Sequence, residues 1–304
     1  MESNATHNST TSSNNGNNIP IAIAYYIIAI FILLVSLLGM VGNGTVIWML
    51  SRYIKRNPFT TYILNLSIAD FGVLMTLGVI YICWVFGGLH PIECPLGVTV
   101  LLFPFFLFTF STSQFLLAII SIDRCICVFF PLWQKCHRPS HLSTILCVTI
   151  WILTFLFSVI VNAFTFILRY PELPYYQFLL NAVLFMPAMF ISTIAMLIKV
   201  CFMSPHHKRG KLLTAVLVAL LFFLLFAFPM NAVQLVFTDH IPASSHYVPI
   251  GASLNSAINP VIYFLVGREN NAQSGRRIKK ILEKVFQEEE SCKEERHFSL
   301  VTRL

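Results

Sequence analysis

The chain has 304 residues, of which 57% are hydrophobic and only 11% are charged, and its mean hydropathy is +0.75. Because soluble domains carry about 25% charged residues, this composition excludes an ordinary soluble protein and predicts an all-α membrane protein. The net charge of +7 does not indicate a nucleic-acid partner, since all 20 Lys and Arg residues except Arg169 fall on one side of a single alternating membrane topology.

The first 19 residues are rich in Asn, Ser and Thr and contain no apolar run, which predicts a disordered extracellular tail. Asn4 and Asn8 each begin an Asn-X-Thr triplet, so we expect both to carry glycans. No cationic segment precedes the first apolar run, which argues against a cleaved signal peptide. The first span is therefore expected to direct insertion.

Seven apolar segments follow between residues 20 and 267, each long enough to cross a hydrocarbon core about 30 Å thick. Cations occupy the loops on one face, whereas Glu93, Glu172 and Asp239 occupy loops on the other. The pattern predicts a seven-transmembrane helix bundle in the plasma membrane, with the N-terminus outside and the C-terminus inside. The expected spans are 20–50, 59–86, 95–130, 141–168, 176–203, 211–238 and 246–267.

After the last span, apolar residues recur at helical spacing among five cations between Arg276 and Lys284. This pattern predicts that residues 268–287 form an amphipathic helix on the anionic inner leaflet of the bilayer. Residues 288–304 are strongly charged and are expected to form a disordered cytoplasmic tail.

An ionisable residue deep in a span indicates function, because its insertion into the membrane is costly. Asp70 is the one acidic residue at that depth, and no Lys or Arg within the bundle is placed to pair with it. The sequence predicts a polar core that holds a small cation or water; alternatively, its Asn and Ser residues only bond across helices. The core members are Asp70, Asn43, Ser113, Asn255 and Asn259.

Prolines interrupt four spans, and each removes one backbone hydrogen bond from its helix. They are expected to act as hinges, although membrane helices also tolerate proline without any special role. The four are Pro104, Pro187, Pro229 and Pro260.

The third span ends in the charged pair Asp123-Arg124. One interpretation is a helix end at the membrane interface, with the Arg124 side chain extending to water. The other is a cytoplasmic switch in which Asp123 holds Arg124 until a partner arrives.

Several motifs together resemble the rhodopsin-like (class A) G-protein-coupled receptors, in order and in spacing, over residues 20–285. They are Gly42-Asn43, Leu66-Ser67-Ile68-Ala69-Asp70, Asp123-Arg124-Cys125, Trp151 and Asn259-Pro260-Val261-Ile262-Tyr263. A narrower resemblance, to the Mas and Mas-related receptors, lies in KRNPFTTYILNLSIAD (55–70), DRCICVFFPLWQKCHRPSH (123–141), FLLFAFPM (223–230) and NPVIYFLVG (259–267).

This resemblance implies a receptor that binds an extracellular ligand and activates a heterotrimeric G protein. It implies a sodium ion at the polar core around Asp70, and no other metal or cofactor. The switch residues that it implies on the cytoplasmic side are Asp123, Arg124, Asn259, Pro260 and Tyr263.

The chain also departs from the wider family. Its outer loop from Arg169 to Tyr176 contains no Cys, so the family's disulfide to the third span cannot form, and Ala227 replaces the usual tryptophan of the sixth span. Cys83 and Cys94 could form a bridge or remain two thiols.

For the ligand, an aminergic receptor is excluded by Phe106 where an Asp is needed, and a retinal protein by the absence of Lys from the seventh span. The acids Glu93, Glu172 and Asp239 favour a peptide or cationic amphiphile, unless they are only a solvated rim. The expected pocket adds five aromatic residues, namely Tyr81, Trp84, Phe106, Phe237 and Tyr247.

Other protein classes fit the sequence less well. An enzyme is not expected, because the chain lacks the common catalytic motifs and Asp70 has no second buried acid for acid–base chemistry. The alternative function is a multi-span ion transporter or channel that uses Asp70.

Overall fold

The computed structural model describes residues 15–54, 56–89, 96–130, 138–139, 141–168, 173–202 and 244–267. All regular structure in these ranges is helical. Four of the helices are long and apolar enough to cross a membrane. The six helices are α1 (Asn15–Arg52), α2 (Pro58–Leu89), α3 (Leu96–Phe129), α4 (Leu142–Leu168), α5 (Leu173–Phe202) and α6 (Ser244–Gly267).

Helices α2 to α6 begin and end within three residues of the spans expected from the sequence, with α6 as the seventh span. The first helix differs, because α1 begins at Asn15, inside the segment expected to be disordered. Once a helix exists, each added residue gains a backbone hydrogen bond at little further cost, so α1 continues beyond its apolar run. Outside the described residues lie Asn4, Asn8, the sixth span, residues 268–287 and residues 288–304.

Helix α3 is the centre of the bundle. It packs against α2, α4 and α5, while α1 packs on α2 and α6. In α3, 72% of the most apolar stretch is buried, whereas in α1 only 22% of the corresponding stretch is buried. Helix α3 is therefore surrounded by protein, and α1 lies at the periphery.

A polar layer divides the apolar core into two clusters. In α2 the apolar residues of one cluster extend to Ala69 and those of the other begin at Val73. In α3 the corresponding limits are Leu116 and Phe110. Asp70 and the buried polar residues 111–114 therefore lie between the two clusters, at mid-depth of the helices.

Small residues allow the helices to approach closely around this layer. A Cβ atom added at Gly39 of α1 would come within 2.7 Å of Leu74 Cδ1 and 2.8 Å of Ala257 Cβ. One added at Gly72 would come within 2.7 Å of Thr109 Cγ2. Close contact through small residues is a common way to pack membrane helices, and here it joins α1, α2, α3 and α6.

The start of α2 is fixed by its own sequence. Asn57 caps the helix, because its Oδ1 accepts a hydrogen bond from the backbone N–H of Thr60 at 2.7 Å. In return, Thr60 Oγ1 accepts a bond from the backbone N–H of Asn57 at 2.8 Å, which completes a reciprocal cap. Pro58 occupies the first helical position, where its missing N–H costs nothing. The cap fixes the position of Phe59, whose ring contacts Arg124 of α3.

Candidate switch and polar core

Asp70 is fully buried and receives two hydrogen bonds from other helices. Ser113 Oγ of α3 donates to Asp70 Oδ1 at 2.6 Å. Asn259 Nδ2 of α6 donates to Asp70 Oδ2 at 2.8 Å. A buried carboxylate needs such donors, and these two join α2, α3 and α6 at one point.

The two other predicted members of the polar core are not hydrogen-bonded to Asp70. Asn43 Nδ2 donates instead to the backbone oxygens of Gly39 at 3.0 Å and Ser256 at 2.9 Å, so Asn43 ties α1 to α6. Asn255 is buried, and its Nδ2 has no acceptor among the described residues. Of the predicted core members, Ser113 and Asn259 therefore bond to Asp70 directly. The Asn43 amide instead bonds across helices and leaves its own Oδ1 without a donor among the described residues.

The charged pair at the end of α3 is part of a three-residue ion cluster. Arg124 donates to Asp123 Oδ2 at 3.1 Å. Arg138, from the segment that precedes α4, forms an ion pair with Asp123, with its Nη2 atom 2.9 Å from Oδ1. The sequence indicates Arg138 only as a loop cation and does not predict its contact with Asp123.

All three charged side chains of this cluster are buried. Those of Arg124 and Arg138 are each 7% exposed, and that of Asp123 is 10% exposed. The interpretation that Arg124 extends to water is therefore wrong. The Arg124 guanidinium instead lies over the Phe59 ring, 4.4 Å from its centroid, where the negative face of the ring attracts a cation.

The other predicted switch residues lie on α6. Asn259 reaches the polar core, as described, while Pro260 packs against α1 close to Gly42. Tyr263 is buried in the same apolar cluster as Leu66 and Ile120. One turn of α6 thus links the polar core to the apolar cluster that lies towards Arg124.

Sequence reasoning missed a second buried polar cluster, between α3, α4 and α5. Gln177 Nε2 donates to Ser111 Oγ and to Ser158 Oγ, each at 2.9 Å. Asn181 Nδ2 donates to Ser111 Oγ at 2.9 Å. Gln177 Oε1 and Asn181 Oδ1 have no donor among the described residues, so two acceptor oxygens remain open in a buried site. The four polar residues are recognisable in the sequence, but only the rotation of each helix brings them together.

Helix α4 is positioned by two further polar contacts. Trp151 Nε1 donates to Asn65 Oδ1 of α2 at 3.0 Å. The hydroxyls of Thr112 and Thr154 lie 2.8 Å apart between α3 and α4. Trp151 was singled out by its family motif, whereas Asn65 carried no signal of its own.

The predicted ligand pocket is described only in part. Tyr81 and Phe106 are buried in one apolar cluster, in which Phe106 stacks on Phe110 with ring centroids 5.5 Å apart. Trp84 lies apart from these contacts, with its ring against Tyr25 and with 46% of the residue exposed. Tyr247 belongs to α6. Glu93, Cys94, Glu172, Phe237 and Asp239 lie outside the described residues, as does any bridge to Cys83.

These sites can bind a cation, and their charged and polar side chains can exchange one partner for another. Within the described ranges, no three His, Cys, Asp or Glu side chains cluster as metal ligands. The polar core instead offers hard oxygen donors, namely the Asp70 carboxylate, the Ser113 hydroxyl and the buried Oδ1 of Asn43, which has no donor in the described part of the chain. Oxygen ligands of this kind suit a hard monovalent or divalent cation.

Comparison with known proteins adds an independent result. The family described as "7 transmembrane receptor (rhodopsin family)" matches residues 42–263. Mas-related G-protein coupled receptor member H of Rattus norvegicus is 34% identical over 268 residues, which are 84% of this chain and 82% of the relative. Proto-oncogene Mas of Mus musculus is 30% identical over 290 residues, which are 89% and 85% of the two chains.

Proposed function

The chain belongs to the rhodopsin family of seven-transmembrane receptors, among the Mas and Mas-related receptors, and we propose that an extracellular ligand activates heterotrimeric G proteins through it. The members of this family are G-protein-coupled receptors and not enzymes. The chain is accordingly a multi-pass protein of the plasma membrane. For its orientation we propose an outer N-terminus, supported by the distribution of Lys and Arg.

The observation that carries the proposal is the buried Asp123–Arg124 pair at the end of α3. A guanidinium held by a carboxylate and an aromatic ring is unavailable to a partner, so this arrangement corresponds to a closed state. Ligand binding would shift the population towards a state in which Arg124 leaves Asp123 and contacts the G protein. Tyr263 and the Asn259-Pro260 pair on α6 would move with it.

The direct test compares Arg124→Ala with the unsubstituted receptor in lipid nanodiscs. A library of cationic peptides is the ligand probe, and nucleotide exchange on purified G proteins is the measured quantity. We expect Arg124→Ala to reduce peptide-stimulated exchange at least about tenfold, within the usual range of allosteric coupling. Arg52→Ala, which removes an exposed cation from the inner end of α1, is the matched control and should retain full exchange.

The competing function is an ion transporter or channel that uses Asp70. Peptide-independent ion flux through liposomes that contain the chain, together with no nucleotide exchange on any G protein, would favour it. Normal exchange by Arg124→Ala would instead reject the proposed switch while leaving the receptor class untouched.

The proposed cofactor is a sodium ion in the closed state. Asp70 supplies the negative charge, and Ser113 Oγ on α3 and the buried Asn43 Oδ1 on α1, which lacks a donor within the described helices, are candidates for further oxygen ligands. Bound there, the ion would hold α1, α2 and α3 together and oppose opening. A ligand for the open state would then compete with sodium for the same conformational equilibrium.

For the ligand we propose a peptide or another amphiphile that carries cations. The predicted acids at the outer face, Glu93, Glu172 and Asp239, support this class through charge complementarity.

A further inference from the structure

The Asp123 carboxylate has one guanidinium at each of its oxygens. Arg124 Nη2 lies 3.1 Å from Oδ2, and Arg138 Nη2 lies 2.9 Å from Oδ1. The two contacts do not share an acceptor atom, so one can break while the other stays intact.

The two arginines are also anchored on different parts of the molecule. Arg124 belongs to α3 and lies on Phe59 of α2. Arg138 lies just before α4, and its guanidinium donates to Ser143 Oγ in the first turn of α4 at 2.7 Å. A movement that withdraws Arg124 therefore does not by itself withdraw Arg138.

This arrangement changes the energetics of opening. If Asp123 had Arg124 alone, the departure of Arg124 would leave a buried carboxylate without a partner, which is strongly unfavourable. With Arg138 in place, the carboxylate remains paired. In addition, the two guanidiniums repel each other while they share one carboxylate, and that repulsion ends when Arg124 leaves. Both effects favour the open state.

We propose that Arg138 is a positioning residue that retains the Asp123 carboxylate when Arg124 leaves it, and thereby stabilises the open, G-protein-binding state. The inference rests on the proposed receptor function and deepens it. The proposal predicts that loss of Arg138 makes the receptor harder to open. Removal of an ion pair from an ionic lock would ordinarily be expected to make opening easier.

The test needs no ligand. Full-length receptor in nanodiscs is titrated with nucleotide-free G-protein heterotrimers of several classes, which bind the open state, and the apparent Kd is measured. Because the apparent Kd varies inversely with the open fraction, we expect Arg138→Ala to weaken binding at least about tenfold. Arg138→Lys keeps a cation beside Asp123 and should retain most of the affinity, while Arg52→Ala should leave it unchanged.

A double-mutant cycle separates this role from direct contact between Arg138 and the G protein. In an Asp123→Asn background there is no carboxylate charge to retain and only the repulsion between the guanidiniums remains, so Arg138→Ala should change the Kd much less. A similar loss of affinity in both backgrounds would mean direct contact and would overturn the proposal. Equal or tighter binding by Arg138→Ala alone would overturn it too, since Arg138 would then be inert or would clamp the closed state.

Failure of the underlying function has a different signature. If the unsubstituted receptor binds no heterotrimer of any class, the proposed function falls, and this inference falls with it. If the unsubstituted receptor binds and only the predicted effect of Arg138→Ala is missing, the receptor function stands and the role of Arg138 is rejected.

Discussion

The two buried aspartates have opposite kinds of partners. Asp70 meets neutral donors, Ser113 and Asn259, which satisfy its oxygens but leave its charge without a counterion among the described residues. Asp123 pairs with two cations, Arg124 and Arg138, so the positive charge beside it exceeds its own single negative charge. An added cation is therefore favoured at Asp70 and disfavoured at Asp123.

This contrast predicts how the receptor responds to sodium. Replacing choline chloride with sodium chloride at constant ionic strength should raise the apparent Tm of the purified receptor by a few degrees. At about a hundred times its Kd, a ligand that binds only the folded state adds about 2.7 kcal/mol. Asp70→Asn should abolish the response, because it removes the charge that binds the ion.

The matched control is Thr76→Val, which removes a buried hydroxyl on the same helix whose bond goes to the backbone of Gly72. This variant should keep the sodium response. A response of normal size in Asp70→Asn would place the ion elsewhere or exclude it as a specific ligand.

At the scale of single residues, the sequence predicted properties that depend on a residue's own charge and on the span in which it lies. A lone acid in an apolar span indicates a polar core, and the structure places Ser113 and Asn259 at Asp70 as expected. It did not indicate that Arg138 would meet Asp123, since a cation in a short basic loop has no periodicity that shows where it folds. The Gln177 cluster was missed for a similar reason, because four neutral residues in three spans share no motif.

At the scale of helices, close packing depends on a few glycine residues, which have no Cβ atom. Gly39 lies against Leu74 of α2 and Ala257 of α6, so it sets the distance between α1 and both neighbours. Gly44, little more than one turn further along α1, would meet only Phe71 Cε2, at 3.8 Å, if it carried a Cβ atom. Two glycines of one helix thus have very different surroundings.

We expect Gly39→Ala to destabilise the bundle by about 1–3 kcal/mol, the usual cost of overpacking, with a lower apparent Tm in detergent. Gly44→Ala is the internal control and should be neutral or stabilising by up to about 1 kcal/mol, because alanine favours the helix and its Cβ atom would make only an ordinary van der Waals contact with Phe71. Equal effects of the two substitutions would mean that the close approach at Gly39 is not retained in the membrane.

Helix positions were the most predictable part of the fold. Apolar length fixes where a chain enters and leaves a bilayer, so α2 to α6 match their expected spans closely. The start of α1 was not predictable in this way, since Asn15 and the residues after it are polar and no hydrophobic boundary marks where the helix begins. Hydropathy also does not predict which face of a peripheral helix packs against its neighbours, because lipid and protein core are equally apolar.

At the scale of the whole molecule, the cations define the two sides of the membrane. The cluster of Asp123, Arg124 and Arg138 lies at the end of α3 that the positive-inside rule assigns to the cytoplasm. A G protein and this cluster would therefore meet on the same side, which the proposed function requires.

Orientation is tested by glycosylation and by access to the two termini. Enzymatic removal of N-glycans should increase the gel mobility of the receptor from mammalian cells, because Asn4 and Asn8 would face the lumen during synthesis. Asn4→Gln and Asn8→Gln should each remove part of the shift, and the double variant should remove all of it. An N-terminal epitope that antibodies reach only after permeabilisation of the cells would reverse the proposed topology.

The contact between Asn43 of α1 and the backbone of Ser256 of α6 joins positions 213 residues apart. Ribosomes make α1 before α6, so the Asn43 amide enters the bilayer before its acceptor on α6 exists. Until then, the Asn43 amide keeps only its hydrogen bond to the Gly39 oxygen of its own helix. The bond between α1 and α6 can form only after α6 has entered the bilayer beside α1, so chains that stop before α6 lack this link between the two helices.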